Sequence, residues 1–186
     1  MSGIYYHASK YKYEINKVIS ITDYKGDCTY DHKVRSEEQR RINEIIDSRR
    51  PKYVTISRTK AIYLFDNLCN CRDYAKSILH EDDAVYIYKV QIEGQVYGGY
   101  PFCMIKEVYN KLHSQKCLDC CISSYWQPRY DWKVLEYMSD KIKIVGYEDT
   151  IQFNYGYLAD DISHLKTLCK KCQLEMQKSA LTSGIV

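Results

Sequence analysis

No stretch of this 186-residue chain approaches the roughly 18 apolar residues that a membrane-spanning helix requires. The opening MSGIYYHASKYKYE also lacks the apolar segment of a secretion signal, so the chain is expected to be soluble and cytoplasmic, in the producing cell or in a target cell, with no membrane partner. Glycine and proline are scarce, at 8 and 3 residues; with 45% hydrophobic and 27% charged residues, this excludes a linker or a disordered tract. No internal repeat or low-complexity segment interrupts it. Neither sign of charge dominates: 27 Lys and Arg stand against 24 Asp and Glu, a net +3 that neither demands a polyanionic partner nor excludes one. The phosphate-cradling Walker loop, the dinucleotide GxGxxG and the hydrolase GxSxG are all missing. LHEDD, at 79–83, lacks the second His of a helical zinc motif.

Cysteine and tyrosine are what the chain has in quantity. Nine cysteines, an odd number without a secretion signal, read as reduced thiols and not as a disulfide framework. CLDC and CKKC, with His113, Cys117, Cys120 and Cys121 ahead of Cys169 and Cys172, have the half-site spacing of tetrahedral zinc. The separation between the pairs exceeds that of ordinary zinc ribbons, and the second pair falls inside an expected helix, so buried free thiols are the expected state and zinc is not expected. The 20 tyrosines each combine a flat apolar face with a hydroxyl, which suits a nucleotide-binding surface as well as a core.

Short strands and scattered helices alternate along the chain. GIYYHAS predicts a first strand ending near His7, and KVISIT, at 17–22, a second. SEEQRRINEIIDSRR opens on a Ser36/Gln39 capping-box spacing and carries Ile42, Ile45 and Ile46 on one helical face. AIYLFD predicts a third strand; Asp66 or Asn67 then caps a helix through Leu68, Cys71, Ala75 and Leu79. AVYIYKVQI is a fourth strand with Gly94 in its turn, and WKVLEYM and KIKIVGYE read as a hairpin about Ser139 and Asp140. A final helix is expected over 162–178. This pattern predicts an α+β domain over residues 1–150, followed by a C-terminal helix and tail over 151–186.

Three short pieces, in order, carry a resemblance: YYHAS with His7, then Tyr63 and Tyr74 with ten residues between them, then KVLEYM with Glu136. The chain resembles the diphtheria-toxin-like ADP-ribosyltransferases, whose signature is a His on the first strand, a Tyr pair and a Glu on a late strand. AIYLFDNLCNCRDYAKSILHEDDAVYIYKVQIEG is similar to the strand, helix and strand of rifampin ADP-ribosyltransferases, and WKVLEYMSDKIKIVGYE to the catalytic-Glu strand of DNA-targeting ADP-ribosyltransferase toxins.

The resemblance implies a split β-sheet core with flanking helices, NAD as co-substrate, and transfer of ADP-ribose to a macromolecular acceptor in a toxin- or effector-like role. It further implies a neutralising partner protein. Cleaving the bond between nicotinamide and ribose builds positive charge on the sugar, and a fixed carboxylate favours that charged state. By resemblance Glu136 bonds the ribose 2'-hydroxyl, His7 holds the adenosine ribose, and Tyr63 and Tyr74 stack on nicotinamide. Where many relatives carry Gly after the His, this chain has Ala8, which supplies the same backbone groups to the nicotinamide amide. Arg58, just ahead of the third strand, stands where a guanidinium would meet the pyrophosphate. In KCLDCCISSYWQPRYDW, Trp126, Arg129 and Tyr130, with Tyr125 and Trp132, offer stacking faces and a cation for an acceptor base, favouring single-stranded nucleic acid over protein.

Each of these residues also has an ordinary reading. Taken singly, His7 is a structural strand-end His, the tyrosines are core aromatics, Glu136 is a solvated strand position, Arg58 is a loop charge and the Trp126 loop is an apolar plug. The competing class is a non-enzymatic module, with or without a zinc staple, that binds nucleic acid or protein.

Overall fold

The computed structural model describes residues 3–22, 37–79, 84–102, 105, 108, 115–128 and 133–152. Its strands are β1 (Tyr5–Ser9), β2 (Val18–Ser20), β3 (Ile62–Leu64), β4 (Ala84–Ile92), β5 (Val96–Pro101), β6 (Leu135–Ser139) and β7 (Lys141–Gln152). Its helices are α1 (Glu37–Ser48), α2 (Leu68–Ser77) and α3 (Gln115–Tyr125). The strands form two antiparallel sheets, one ordered β1-β4-β7-β2 and the other β3-β6-β5, which makes an α+β domain.

Strand alternation explains how the sheets stack. Ile62 and Leu64 of β3 point one way and join Tyr88 and Val90 of β4 and Ile142 and Ile144 of β7 in a shared core between the sheets. Tyr63 points the other way, into a second core with Ile42 and Ile46 of α1, Ile122 and Tyr125 of α3, Tyr100 of β5 and Met138 of β6. Full burial of a Leu or Ile side chain is worth about 1.5–3 kcal/mol. A one-residue slip of β3 would forfeit that for Ile62 and Leu64, so the register is firmly set. A third core, of Phe65, Cys71, Tyr74, Ala75, Val85 and Ile87, seats α2 against β1 and β4. Asn67 caps α2 as expected, its side-chain oxygen accepting from Cys69 N at 2.8 Å and Asn70 N at 3.3 Å.

Two places depart from the sequence reading. The Gly- and Cys-bearing stretch after β4, to which the sequence reading assigns no element, holds β5 and α3. Gly99 sits there at φ 74°, and the ladder shifts register between Gly98 and Tyr100, so that Tyr100 stands opposite Glu136. The expected hairpin of β6 and β7 is absent: β6 pairs with β3 and β5, whereas β7 pairs with β4 and β2. Asp140 alone separates the two strands, and one residue is too short a loop for a tight reversal; the chain passes from one sheet to the other there. Ser36 and the expected helix over 162–178 lie outside the described residues.

The two sheets also meet through main chain. Tyr6 N donates to Phe65 O at 2.8 Å and Phe65 N donates to Tyr6 O at 2.9 Å, an isolated bridge that ties β1 to the end of β3. Among the described residues no helix is long and apolar enough to cross a membrane.

Candidate active site

The β1–β3 bridge determines where His7 lies. One residue beyond Tyr6, its ring reaches back to β3, and Nδ1 lies 2.9 Å from the Tyr63 carbonyl oxygen. A carbonyl can only accept, so Nδ1 carries the proton and Nε2 presents a lone pair. That Nε2 is buried and, among the described residues, is the single enclosed side-chain nitrogen or oxygen without a hydrogen-bond partner. Burial pulls the His7 pKa down to about 4, against a smaller upward pull from the Tyr63 carbonyl, so the ring is neutral at pH 7.

Tyr63 links His7 to the acidic half of the site. Its hydroxyl donates to the Arg58 carbonyl oxygen at 2.6 Å. The Arg58 side chain turns inward: Nη1 donates to Glu136 Oε1 and to the Tyr125 hydroxyl, and Nη2 lies 3.5 Å from Glu136 Oε2. Tyr125 in turn donates to Glu136 Oε1. Nε of Arg58 donates to Asn43 Oδ1 at 2.8 Å, and the guanidinium carbon stands 4.9 Å from the Tyr63 ring centroid and 4.8 Å from that of Tyr125. Arg58 is 3% exposed and Glu136 1% exposed, so this is an enclosed ion pair with its cation between two aromatic rings. Burial, the largest single influence, works against the Arg58 charge, but the charge and hydrogen bond of Glu136 together with Tyr125 and Tyr63 outweigh it and hold the guanidinium well above its ordinary range. Burial likewise pushes the Tyr125 phenol well up, so it stays a neutral donor.

Four of the expected residues, His7, Tyr63, Arg58 and Glu136, are therefore linked in series by separate contacts, His7 to the Tyr63 carbonyl, the Tyr63 hydroxyl to the Arg58 carbonyl and the Arg58 guanidinium to Glu136, drawn from both sheets and the segment before β3. The solvated-strand reading of Glu136 and the loop-charge reading of Arg58 both fail, because each is the other's buried partner. Arg58 reaches this carboxylate from a position where a pyrophosphate contact was expected. Ala8 follows His7 in β1 and packs in the core beneath α2. Tyr74 sits in that same core, with its ring 5.1 Å from Phe65 and 6.1 Å from Phe102, whereas Tyr63 belongs to the core under α1 and α3.

Trp126 requires a correction. It was expected to offer an acceptor base a stacking face, yet it is 4% exposed, its indole N–H donates to Ile46 O at 2.9 Å, and Tyr100 and Tyr125 meet it edge to face at 5.2 and 5.0 Å. An amphipathic indole whose N–H finds a main-chain carbonyl belongs to the core, and the apolar-plug reading describes it. Tyr125 is likewise a core residue and a partner of Glu136. Arg129, Tyr130 and Trp132 lie outside the described residues, as do His113, Cys169 and Cys172. Among the described residues no cluster of His, Cys, Asp or Glu is placed to hold a metal ion.

Sequence reasoning missed Tyr125 as a ligand of Glu136, and Asn43 and Asp47 as supports of Arg58. A signal for Asn43 was present in α1. Asn43 is buried beside Ile42 and Ile46, and a polar residue on the buried side of an amphipathic helix needs a partner.

No family model matches the chain, and no curated protein matches it.

Proposed function

We propose that the chain is an NAD-dependent ADP-ribosyltransferase of the diphtheria-toxin-like kind, built on a split-sheet core and transferring ADP-ribose to a macromolecular acceptor. The observation that carries this reading is His7 Nε2: a buried, neutral nitrogen with its lone pair unused, which fits an incoming sugar hydroxyl as donor. It is connected to Glu136 in series, through Tyr63 and then Arg58.

In this reading His7 accepts from the adenosine ribose, and Glu136 faces the nicotinamide ribose. Oε1 of Glu136 is taken by Arg58 and Tyr125, while among the described residues Oε2 meets only Arg58 Nη2, at 3.5 Å, and keeps acceptor capacity for a 2'-hydroxyl. As the glycosidic bond breaks, the carboxylate opposes the positive charge that grows on the sugar. Arg58 and Tyr125 fix the carboxylate so that it need not reorganise during the reaction. Because His7 and Glu136 are both sealed from solvent, NAD entry displaces neighbouring groups, and association runs below the diffusional limit. A nucleic acid is retained over protein as acceptor, now resting on Arg129 and Tyr130, since Trp126 belongs to the core.

One observation favours the non-enzymatic alternative: the Arg58–Glu136 pair is by itself a sufficient structural use for that carboxylate. Titration calorimetry with NAD separates the two readings. Binding accompanied by slow release of nicotinamide supports the transferase; no heat and no nicotinamide at millimolar NAD leaves the binding module. Labelled NAD offered with RNA, single-stranded DNA, duplex DNA and cell protein then identifies the acceptor, and label confined to protein ends the nucleic acid assignment.

A further inference from the structure

Arg58 lies between α1 and β3 in a segment with no strand ladder to hold it, its turns closed by Val54 N donating to Pro51 O at 2.9 Å and Lys60 N to Ser57 O at 3.0 Å. Its placement comes from α1. Asp47 Oδ1 accepts from Arg58 N at 2.6 Å and lies 3.5 Å from Arg50 Nη1, and Asp47 Oδ2 accepts from Ser57 Oγ at 2.8 Å. One turn earlier, Asn43 Oδ1 receives the Arg58 Nε proton. The same helix anchors itself through Ile42 and Ile46, and Ile46 O receives the indole of Trp126, the neighbour of Tyr125. Both groups that grip Glu136 are thus tied to one helix face.

We propose that Asp47 is a positioning residue for the chemistry at Glu136: by clamping the main chain of Arg58 and the side chain of Ser57, it sets where the guanidinium stands and so where the carboxylate points. The kinetic part of this rests on the transferase reading above; the geometric part does not. Asp47 acts on the geometry of the site and not on NAD itself, so its loss separates two kinetic constants. A displacement of about 1 Å in a catalytic group can cost roughly 100-fold in rate. Asp47→Ala is expected to lower kcat for nicotinamide release by about 10- to 100-fold while KM for NAD stays within about threefold. Asp47→Asn keeps an oxygen that accepts from Arg58 N and recovers most of the rate.

The deciding measurement includes a second readout that needs no activity. In the folded protein the Arg58 Nε–H resonance, identified by its loss in Arg58→Lys, is protected from hydrogen exchange by Asn43. Asp47→Ala is expected to speed that exchange by about 10-fold or more, whereas Asp47→Asn leaves it near the wild-type rate. Wild-type exchange in Asp47→Ala, or equal impairment in the Asn and Ala variants, overturns the proposal. If the wild-type protein releases no nicotinamide, the transferase reading fails and the exchange rates alone decide whether Asp47 positions Arg58. Should Asp47→Ala not fold, Ser57→Ala removes one arm of the clamp; exchange about threefold faster is expected, and an unchanged rate counts against the clamp.

Discussion

Glu136→Gln removes one charge from an enclosed pair while preserving the shape of the side chain. Arg58, left with its charge 3% exposed between two rings, then lacks its counterion; only the amide oxygen, Asn43 and the Tyr125 hydroxyl remain as partners. Breaking a buried pair by removing one partner costs about 3–5 kcal/mol, and the retained oxygen places this variant near the lower figure. For a domain of this size each kcal/mol moves Tm by about 2–4 °C, so a fall of about 6–12 °C is expected in thermal unfolding followed by circular dichroism. Under the proposed transferase reading, nicotinamide release at a temperature well below either transition should fall by roughly 100-fold or more, because the charge proposed to face the sugar cation is gone. A companion variant separates stability from chemistry. Arg58→Met together with Glu136→Leu leaves no unpaired charge, and should regain at least half of the lost Tm while remaining inactive. A Tm for Glu136→Gln within about 2 °C of wild type would refute the enclosed-pair argument. Full release activity in Glu136→Gln would refute the catalytic role proposed for it.

Other expectations follow from the same geometry. The unfolded His7 titrates near 6.5 and the folded one at about 4, so the unfolded chain binds the extra proton between those values; stability from this group is complete above about pH 6.5 and drains away as pH falls toward 4. The shift is worth about 3 kcal/mol, and a His7→Asn variant should show a visibly flatter fall of Tm over that window; parallel curves would contradict it. Trp126→Ala should cost about 3–5 kcal/mol from its cavity and the orphaned Ile46 carbonyl, measured by urea denaturation; a loss below about 1 kcal/mol would return Trp126 to the surface. Burial holds the Cys71 thiol in its protonated form, so iodoacetamide at pH 8 should label the exposed Cys69 and Cys120 and spare Cys71 in mass spectra; early labelling of Cys71 would argue against its place under α2.

The elements that could be read in advance were those whose local signals and tertiary fates agree. Asn67 capped α2 because an Asx side chain can satisfy free helix-end N–H groups without help from the rest of the fold. The Ile42 and Ile46 stripe survived because one helical face met one core. β5 escaped notice because VYGGYP puts two glycines where a strand normally carries side chains, and its pairing with β6 rests on a bulge that periodicity does not encode. The false hairpin had a similar origin: two strand-like runs in series look the same whether they pair together or with distant partners. At the site, His7 and Glu136 were singled out by the resemblance and not by their residue types alone, and nothing local indicated that Arg58 would turn inward. That outcome depends on Asn43, Tyr125 and Glu136 arriving from three separate elements.

The passage of the chain from one sheet into the other at Asp140 bears on how the protein comes into being on the ribosome. β1 cannot complete its ladder with β4 until Val90 has been made, and β2 cannot complete its own until Lys143. β3 waits for β6 in the other sheet. At synthesis rates of about 5–20 residues per second, the interval between the emergence of β1 and that of β7 is roughly 7–30 s. Throughout that interval neither sheet can close, and His7 and Glu136 are not yet in one body. Long-range antiparallel pairing of this kind makes folding slow and leaves early strands exposed to wrong partners. It also has a protective side: no N-terminal fragment ending before Glu136 can assemble the site, so the cell that makes this protein meets whatever chemistry it performs only after nearly the whole described chain has been completed.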